Sequence, residues 1–256
     1  MDVVQSLILG IVQGATEFLP VSSSGHLVLF QKVFGIKEPP IFFDTLVHFA
    51  TLLAIVFYLR KEIFSIIKNI KQKQNQKIIW FLVLGTIPAV IAGFLLKNNI
   101  EKIFDSLDLL IFTFLATAII LFLTKFFKNG LKDTEKLGWL GAVFVGLFQA
   151  LAILPGVSRS GSTISAGLFM GLKREEAFKF SFLLAIPAIL GAMVLQVFEF
   201  QAGVLNGGFL INFIGFLTAA VFGLLSLKIL EKITIKGKLH YFAFYCLLLS
   251  LIILFI

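Results

Sequence analysis

Long apolar runs, separated by short polar and basic stretches, dominate the sequence. A helix that crosses the hydrocarbon core of a membrane needs about 20 predominantly apolar residues. Six segments meet that requirement and are predicted to span a membrane: 42–60, 78–96, 108–126, 177–198, 209–228 and 239–256. The pattern therefore predicts an all-α polytopic membrane protein, with residues 1–256 forming a single membrane domain.

Two further regions, 1–35 and 137–171, fit a spanning helix poorly. Each has an apolar run, then a break rich in Pro, Gly and Ser, then a second apolar run that is too short to span. Irregular backbone at membrane depth must be buried in protein or line a wet cavity. We therefore predict two re-entrant helical hairpins whose tips meet inside the protein.

These two regions also resemble each other in sequence. VSSSG (21–25) matches VSRSG (157–161), and Gln13 precedes the first segment by the same spacing as Gln149 precedes the second. The matches indicate an internal repeat. Its halves are predicted to lie near residues 1–126 and 137–256, which makes the two hairpins equivalent parts of the repeat.

Basic residues indicate how the two halves are oriented. Lys and Arg concentrate in the cytoplasmic loops of membrane proteins. They cluster in four stretches: 60–77, 125–136, 173–174 and 228–238, with a cytoplasmic turn predicted at the last. Equivalent helices of the two halves then run in opposite directions. This predicts an inverted-topology repeat, which places a site near the midplane where broken helices meet.

Composition supports the membrane setting. The chain is 59% hydrophobic and 14% charged, whereas soluble domains are about 45–50% apolar and about 25% charged. Its net charge of +8 is explained by the basic residues of the predicted cytoplasmic loops. The sequence shows no basic groove with aromatic platforms, so a nucleic-acid partner is not expected. Asp2 stands where a cleavable signal peptide has basic residues, so no such signal is expected.

The first predicted tip, TEFLPVSSSGH (16–26), carries an unusual group of polar residues. A carboxylate near the bilayer centre costs on the order of 3 kcal/mol, so Glu17 is a functional candidate. Gln13 lies one helical turn earlier on the same face. Three hydroxyls and an imidazole follow the break: Ser22, Ser23, Ser24 and His26. Capping of the next helix explains one or two serines, and ligand contact or catalysis is predicted for the rest.

The second predicted tip, PGVSRSGST (155–163), supplies positive charge and hydrogen-bond donors. The planar guanidinium of Arg159 suits a phosphate group. Hydroxyls and free N–H groups at a helix start add further anion donors. The hydroxyls are those of Ser158, Ser160, Ser162 and Thr163. We predict a site for an anionic ligand, with phosphate as the first candidate. A purely structural ion pair between Arg159 and Glu17 is the alternative.

Two further residues and a cofactor complete the predicted site. Asp44 and His48 share a helical face and are predicted to support it, with ordinary packing and capping as the alternative. The sequence contains no cluster of soft ligands such as Cys that would suggest a zinc site. If a metal takes part, oxygen ligands and phosphate favour Mg²⁺ or Ca²⁺, with Glu17 as the candidate ligand.

QGATEFLPVSSSGH and PGVSRSGST resemble the two signature motifs of the undecaprenyl pyrophosphate phosphatase family, also called the bacitracin-resistance family. FDTLVHFATLLA and KFSFLLAIPA extend the resemblance over nearly the whole chain. Gln13 stands where the family motif often has Glu. The resemblance implies hydrolysis of undecaprenyl diphosphate to the monophosphate at the outer face of the bacterial plasma membrane. This reaction recycles the lipid carrier for peptidoglycan synthesis and is associated with bacitracin resistance.

The resemblance also implies roles for individual residues. Arg159 and the hydroxyls would hold the diphosphate of the polyprenyl lipid, with a divalent cation offsetting its charge. Ser23 or His26 would attack the terminal phosphorus, or His26 would act as a general base that activates a water molecule or Ser23. Glu17 would orient His26 or help to hold the metal. A second copy of the chain, in a homodimer, is a further candidate partner. The alternative function is a transporter of a lipid phosphate, because inverted repeats with broken helices are typical of transporters.

Overall fold

The computed structural model describes residues 1–36, 41–96, 106–199 and 208–255. Within these residues the secondary structure is helical, and the only β contact is an isolated bridge between Lys132 and Leu172. The α-helices in chain order are α1 (Val3–Phe18), α2 (Ser23–Val33), α3 (Ile41–Tyr58), α4 (Arg60–Lys68), α5 (Lys73–Leu96), α6 (Leu107–Leu123), α7 (Gly138–Leu151), α8 (Arg159–Phe169), α9 (Arg174–Glu199), α10 (Phe209–Ile235) and α11 (Phe242–Ile253). The predicted all-α class is confirmed.

Among the described helices, α5, α6, α9 and α10 are long and apolar enough to cross a membrane. A fifth span results if α3 and α4, which meet at a 66° bend, are counted together. The sixth predicted span, 239–256, contains the 12-residue helix α11, and its last residue lies outside the described residues. At about 1.5 Å per residue, α11 is shorter than a hydrocarbon core of about 30 Å. The chain is a multi-pass membrane protein, and six spans remain a prediction.

Two basic stretches contain more helix than the sequence pattern predicted. Residues 60–68 form the amphipathic helix α4, which buries Ile66. Helix α10 continues to Ile235, so the predicted turn at 228–238 is confined to the residues around Gly237, which has a φ of +68°. Lysine is a good helix former, and these lysines extend helices that apolar packing has already started.

The four basic stretches lie together at one end of the described structure, called here the basic face. Lys173 Nζ lies 2.6 Å from Asp133 Oδ1, which joins the third stretch to the second. Arg174 Nη1 donates to Ile235 O at 3.5 Å, which joins the third to the fourth. Helix α4 is connected to α9 through Glu62, whose Oε2 is 3.9 Å from Lys179 Nζ. The clustering agrees with the charge pattern of the sequence.

Helices α1 and α7 begin at opposite ends of the protein. Helix α10 ends at the basic face, and α1 runs parallel to it: Ser6 donates to Ile211 O at 2.5 Å and Ser226 donates to Gly14 O at 2.7 Å. Helix α1 therefore begins far from the basic face. Helix α7 begins at the basic face, because Thr134, just before it, bonds to Glu176 Oε2 at 2.7 Å. The two hairpins approach each other from opposite directions.

Glycines allow these helices to approach closely enough to support the hairpins. A Cβ atom built on Gly14 of α1 would lie 2.5 Å from Ala219 O and 2.8 Å from Gly223 N of α10. One on Gly146 of α7 would lie 2.5 Å from Gly85 O of α5. Neither contact leaves room for a side chain, since the atoms on the far side belong to the backbone. The contacts fix the depth of both hairpins.

We expect Gly14→Ala to destabilise the protein, because the added methyl group would push α1 away from α10 at a cost of about 1–3 kcal/mol. Gly93→Ala in α5 is the matched control, since a Cβ there meets nothing within 4 Å. Alanine is favoured over glycine inside a helix by roughly 0.5–1 kcal/mol, so the control should be neutral or stabilising. Thermal unfolding in detergent checks the prediction, and a Gly14→Ala protein at least as stable as Gly93→Ala would contradict it.

Candidate active site

The tips of the two hairpins are in direct contact, as the sequence predicted. The amide of Gly156 in the second tip donates to Ser22 Oγ in the first at 3.0 Å. The hydroxyl of Ser160 donates to Leu19 O at 3.4 Å. Each tip therefore satisfies backbone groups of the other, which is necessary because irregular backbone inside a membrane protein has little water to bond to.

The first tip is a tight turn between α1 and α2. Pro20 fixes its own φ and has no N–H, so α1 stops before it. Val21 N donates to Leu19 O at 2.8 Å, and Ser22 then adopts a φ of 67°. Ser22 Oγ accepts from Gly25 N at 3.4 Å and caps α2. A positive φ at a residue other than glycine is uncommon, and such strain is concentrated at functional sites.

The second tip is built in a related way between α7 and α8. Gly156 has a φ of +91°, and the side chain of Thr113 occupies the place where a Cβ would lie. Thr117 of α6 donates to Gly156 O at 2.8 Å and accepts from Ser158 N at 3.1 Å. Ser158 Oγ accepts from Gly161 N at 3.1 Å and caps α8. Helix α6 therefore holds the turn that presents Arg159.

Glu17 is the centre of a polar cluster that joins both tips. Its Oε1 accepts from Arg159 Nη2 at 2.5 Å. Its Oε2 accepts from Ser23 Oγ at 2.5 Å and from Gln13 Nε2 at 3.1 Å. His48 Nε2 lies 3.9 Å from the same oxygen. The structure thus brings together an acid, a base, a hydroxyl and an amide that are separated by up to 146 residues of chain.

The Glu17–Arg159 contact is the ion pair that the sequence left open as a structural alternative. Only 6% of the Glu17 side chain and 15% of the Arg159 side chain are exposed. Removing one partner of a buried pair typically costs 3–5 kcal/mol, because the other charge is left uncompensated. The pair therefore stabilises the contact between the tips. A ligand anion at Arg159 would have to compete with this carboxylate.

His26 is buried in the same tip but is bonded away from Glu17. Its Nδ1 lies 2.7 Å from Ser22 O, one turn earlier in the same chain segment. Its Nε2 lies 2.7 Å from the hydroxyl of Tyr245 in α11, and the edge of its ring meets Phe114. Both ring nitrogens are thus occupied. Glu17 does not orient His26 in the described structure as predicted, because a nearby backbone carbonyl already fixes the ring.

Asp44 and His48 lie beside the cluster. Gln31 Nε2 donates to both carboxylate oxygens of Asp44 at 3.0 Å, and His48 Nδ1 bonds to Asp44 O at 2.7 Å. Because a carbonyl only accepts, His48 Nδ1 carries the proton in this bond. The other nitrogen of His48 then faces Glu17. The predicted supporting pair therefore reaches the cluster through His48.

Each tip contains two neighbouring serine hydroxyls, one of which belongs to the residue that caps the helix. Ser22 Oγ and Ser24 Oγ lie 3.3 Å apart, and Ser158 Oγ and Ser160 Oγ lie 3.2 Å apart. One oxygen of each pair also caps its helix, so these hydroxyls hold the turns. Ser23, between the first two, is the serine of this tip that reaches Glu17.

The remaining predicted hydroxyls lie further along α8. Thr163 Oγ1 lies 2.6 Å from Ser181 Oγ of α9 and donates to Arg159 O at 2.8 Å. Ser162 Oγ is buried without a hydrogen-bond partner in the described structure, as is Gln13 Oε1. Thr163 therefore supports the backbone of Arg159, whereas Ser162 Oγ and Gln13 Oε1 can still accept a hydrogen bond.

The described residues do not by themselves form a site for a resident metal ion. They contain no group of three or more His, Cys, Asp or Glu placed to hold one. Both oxygens of Glu17 are already bonded, to Arg159 and to Ser23 with Gln13. A hard cation such as Mg²⁺ or Ca²⁺ requires several oxygen ligands. We therefore derive no chemical step through a metal.

Sequence reasoning missed several residues of the site. They are Gln31, Thr113, Thr117, Ser181 and Tyr245. All but Gln31 lie in apolar helices, where a single threonine, serine or tyrosine has no distinctive pattern. The one available signal was a phenol or hydroxyl in an apolar segment, since such groups usually need a partner.

Comparisons with known proteins show which family this sequence resembles. A sequence model of the family described as "Bacitracin resistance protein BacA" matches residues 6–252. A curated protein of Carboxydothermus hydrogenoformans named "Undecaprenyl-diphosphatase" is 48% identical over 99% of this chain and 97% of its own length. Proteins of the same name from Thermosipho africanus and Methanococcus vannielii are 44% and 43% identical over 98% of this chain, and over 98% and 99% of their own lengths. The chain belongs to the bacitracin resistance protein BacA family.

Proposed function

We propose that this protein hydrolyses undecaprenyl diphosphate to undecaprenyl phosphate and inorganic phosphate. Relatives that match nearly the whole chain are named for this activity. The observation that carries the proposal is the contact of Glu17 with both Ser23 and Arg159. This contact supports the proposal, because it joins a candidate nucleophile, Ser23, and a candidate anion-binding cation, Arg159, to the two oxygens of a carboxylate that can act as the base.

The first step of the proposed reaction follows from the two bonds of Glu17. A phosphate oxygen of the substrate takes the place of Oε1 on the guanidinium of Arg159, which is planar and suited to phosphate. Glu17 then accepts the proton of Ser23 Oγ, and the hydroxyl oxygen attacks the terminal phosphorus. A bond forms from Oγ to phosphorus, and the bond to the bridging oxygen breaks with release of the lipid monophosphate. A nucleophile in hydrogen-bond contact with a base is the expected arrangement for this chemistry.

The second step releases phosphate from the serine. His26 lies on the same helix, three residues after Ser23. Its Nδ1 faces the carbonyl of Ser22 and carries the proton, so Nε2 of the neutral ring keeps an electron pair and can act as a base once its hydrogen bond with the Tyr245 hydroxyl is released. We assign to Nε2 the proton of the water that attacks the phosphoserine. Phosphate leaves, the Ser23 hydroxyl is restored by the proton held on Glu17, and His26 gives the proton taken from water to the departing phosphate, which restores the neutral ring.

The same proposal covers the setting of the reaction. The four basic stretches would face the cytoplasm of a bacterial cell, because Lys and Arg are retained on that side. The first hairpin would then enter from the outer side of the plasma membrane, and the lipid diphosphate would reach the tips from there. A homodimer remains a prediction.

Arg159→Ala and His26→Ala should each reduce phosphate release from undecaprenyl diphosphate at least roughly a hundredfold. The first removes the charge that stabilises the reacting phosphate, and the second removes the base. The assay uses purified protein in detergent, with melting temperature measured for each variant. Arg60→Ala is the matched control: Arg60 is exposed on α4 and contacts Phe57. Near-normal release by either site variant would contradict the assigned roles. No release by the wild type would favour a transporter of the lipid phosphate.

We retain a divalent cation as a prediction. The diphosphate carries more negative charge than a single guanidinium balances, and Mg²⁺ typically binds through substrate phosphates with few protein ligands. Phosphate release by the wild type should therefore fall on addition of a chelator and recover with Mg²⁺ or Ca²⁺. Full activity in chelator would show that Arg159 and the hydroxyls suffice.

The proposed orientation can be tested with an introduced cysteine. Cys246, the one cysteine of the sequence, is buried, and its Sγ lies 3.6 Å from Pro20 O. Lys71→Cys on the basic face should escape an impermeant thiol reagent in intact cells and react after permeabilisation. Labelling in intact cells would mean that the basic face lies outside. The wild type, tested in parallel, measures the background from Cys246.

A further inference from the structure

Tyr245 contacts His26 in the candidate site but has no chemical role in the two proposed steps. Its hydroxyl lies 2.7 Å from His26 Nε2, and the two rings are parallel within 5° at a centroid distance of 5.8 Å. His26 is 4% exposed, whereas Tyr245 is 43% exposed. Tyr245 therefore forms the layer between the imidazole and the outside of the protein.

The donor and acceptor in this contact can be assigned from chemistry alone. Ser22 O is a carbonyl oxygen, so the 2.7 Å bond to His26 Nδ1 requires a proton on that nitrogen. In the neutral ring Nε2 then has a free electron pair and accepts a hydrogen bond from the Tyr245 hydroxyl. The two bonds act at opposite sides of the ring and together fix its orientation.

Besides the Tyr245 hydroxyl, the described structure gives the imidazole backbone carbonyls of the first tip, those of Ser22 and Val21, as polar partners. The ring also packs nearly perpendicular to the ring of Phe114, at a centroid distance of 5.8 Å and an interplanar angle of 82°, and Phe114 is fully buried in the apolar core. Apolar packing limits where the ring can lie, but it does not distinguish the two ring nitrogens. Tyr245 supplies the hydrogen bond that the described structure gives to Nε2.

We propose that Tyr245 is a positioning residue that acts through His26. It keeps Nε2 unprotonated and pointed in one direction until the phosphoserine is formed, and it releases this nitrogen when the attacking water arrives. The inference rests on the proposed phosphatase reaction, in which Nε2 removes a proton from that water. Tyr245 forms no covalent bond in this role, since its hydroxyl only gives up the hydrogen bond to Nε2 and donates to another acceptor.

Tyr245→Phe is the decisive variant, because it removes the hydroxyl and retains the ring that packs on His26. We expect kcat to fall about tenfold, the effect of losing one hydrogen bond to a reacting group, with KM within about twofold. Tyr245→Ala should lower kcat further, because it also removes the ring. Tyr241→Phe is the matched control, since Tyr241 lies near the same end of the chain, is 57% exposed and packs on His240.

A spectroscopic readout separates positioning from simple loss of structure. The sequence has three histidines, so protein labelled with ¹⁵N-histidine gives three ring spin systems, and His26→Gln identifies that of His26. The wild type should show a protonated Nδ1 and an unprotonated, hydrogen-bonded Nε2. Tyr245→Phe should shift the Nε2 resonance, and Tyr241→Phe should not.

The outcomes decide between the inference and the proposed function. An unchanged Nε2 resonance in Tyr245→Phe would overturn the hydrogen bond, and a wild-type or increased kcat would overturn the positioning role. Failure of the wild type to release phosphate would instead overturn the proposed function, while the resonance would still report the hydrogen bond. A lower kcat with a shifted resonance and an unchanged melting temperature supports the inference.

Discussion

The ion pair between Glu17 and Arg159 is the interaction on which the rest of this structure depends. Each charge lies at the tip of a hairpin that begins at a different end of the protein, and neither is strongly exposed. A charged side chain at membrane depth is costly when alone. Each hairpin therefore requires the other, because each tip supplies the charge that compensates its partner. This requirement links the fold to the site.

Close packing of glycines allows the charges to meet. Gly14 lets α1 lie directly against α10, and Gly146 does the same for α7 against α5. The helices of the two hairpins that the structure describes are shorter than the spanning helices, so their depth depends on these contacts rather than on their length. The turns at the tips are then completed by hydroxyls, since Ser22 and Thr117 bond to the otherwise unsatisfied backbone of Gly156. The helix contacts set the distance between the tips, and the hydroxyls set their shape.

The sequence was sufficient to predict the features that follow from the free-energy cost of burying a charge in a membrane. Glu17 and Arg159 stand out in any apolar chain, and the Pro and Gly residues beside them mark breaks in helices. It was not sufficient for features that depend on distant geometry. Tyr245 is one aromatic residue in the apolar run of α11, and only the packing of α11 against the first tip reveals its partner. The length of α10 was also missed, because its last lysines form a helix that is held by tertiary contacts rather than by hydrophobic periodicity.

The sequence match between the two tips relates residues that have the same structural role in each turn. The matched segments VSSSG and VSRSG place Ser22 with Ser158, and both residues cap a helix through the same pattern.

The same match places Ser23 with Arg159, and these two residues bond to the two oxygens of Glu17. The position in the second half that corresponds to Glu17 is Ile153, which has no charge. A single carboxylate, that of Glu17, therefore contacts residues of both tips. Divergence at these two positions puts a serine in contact with the carboxylate on one side and an arginine in contact with it on the other.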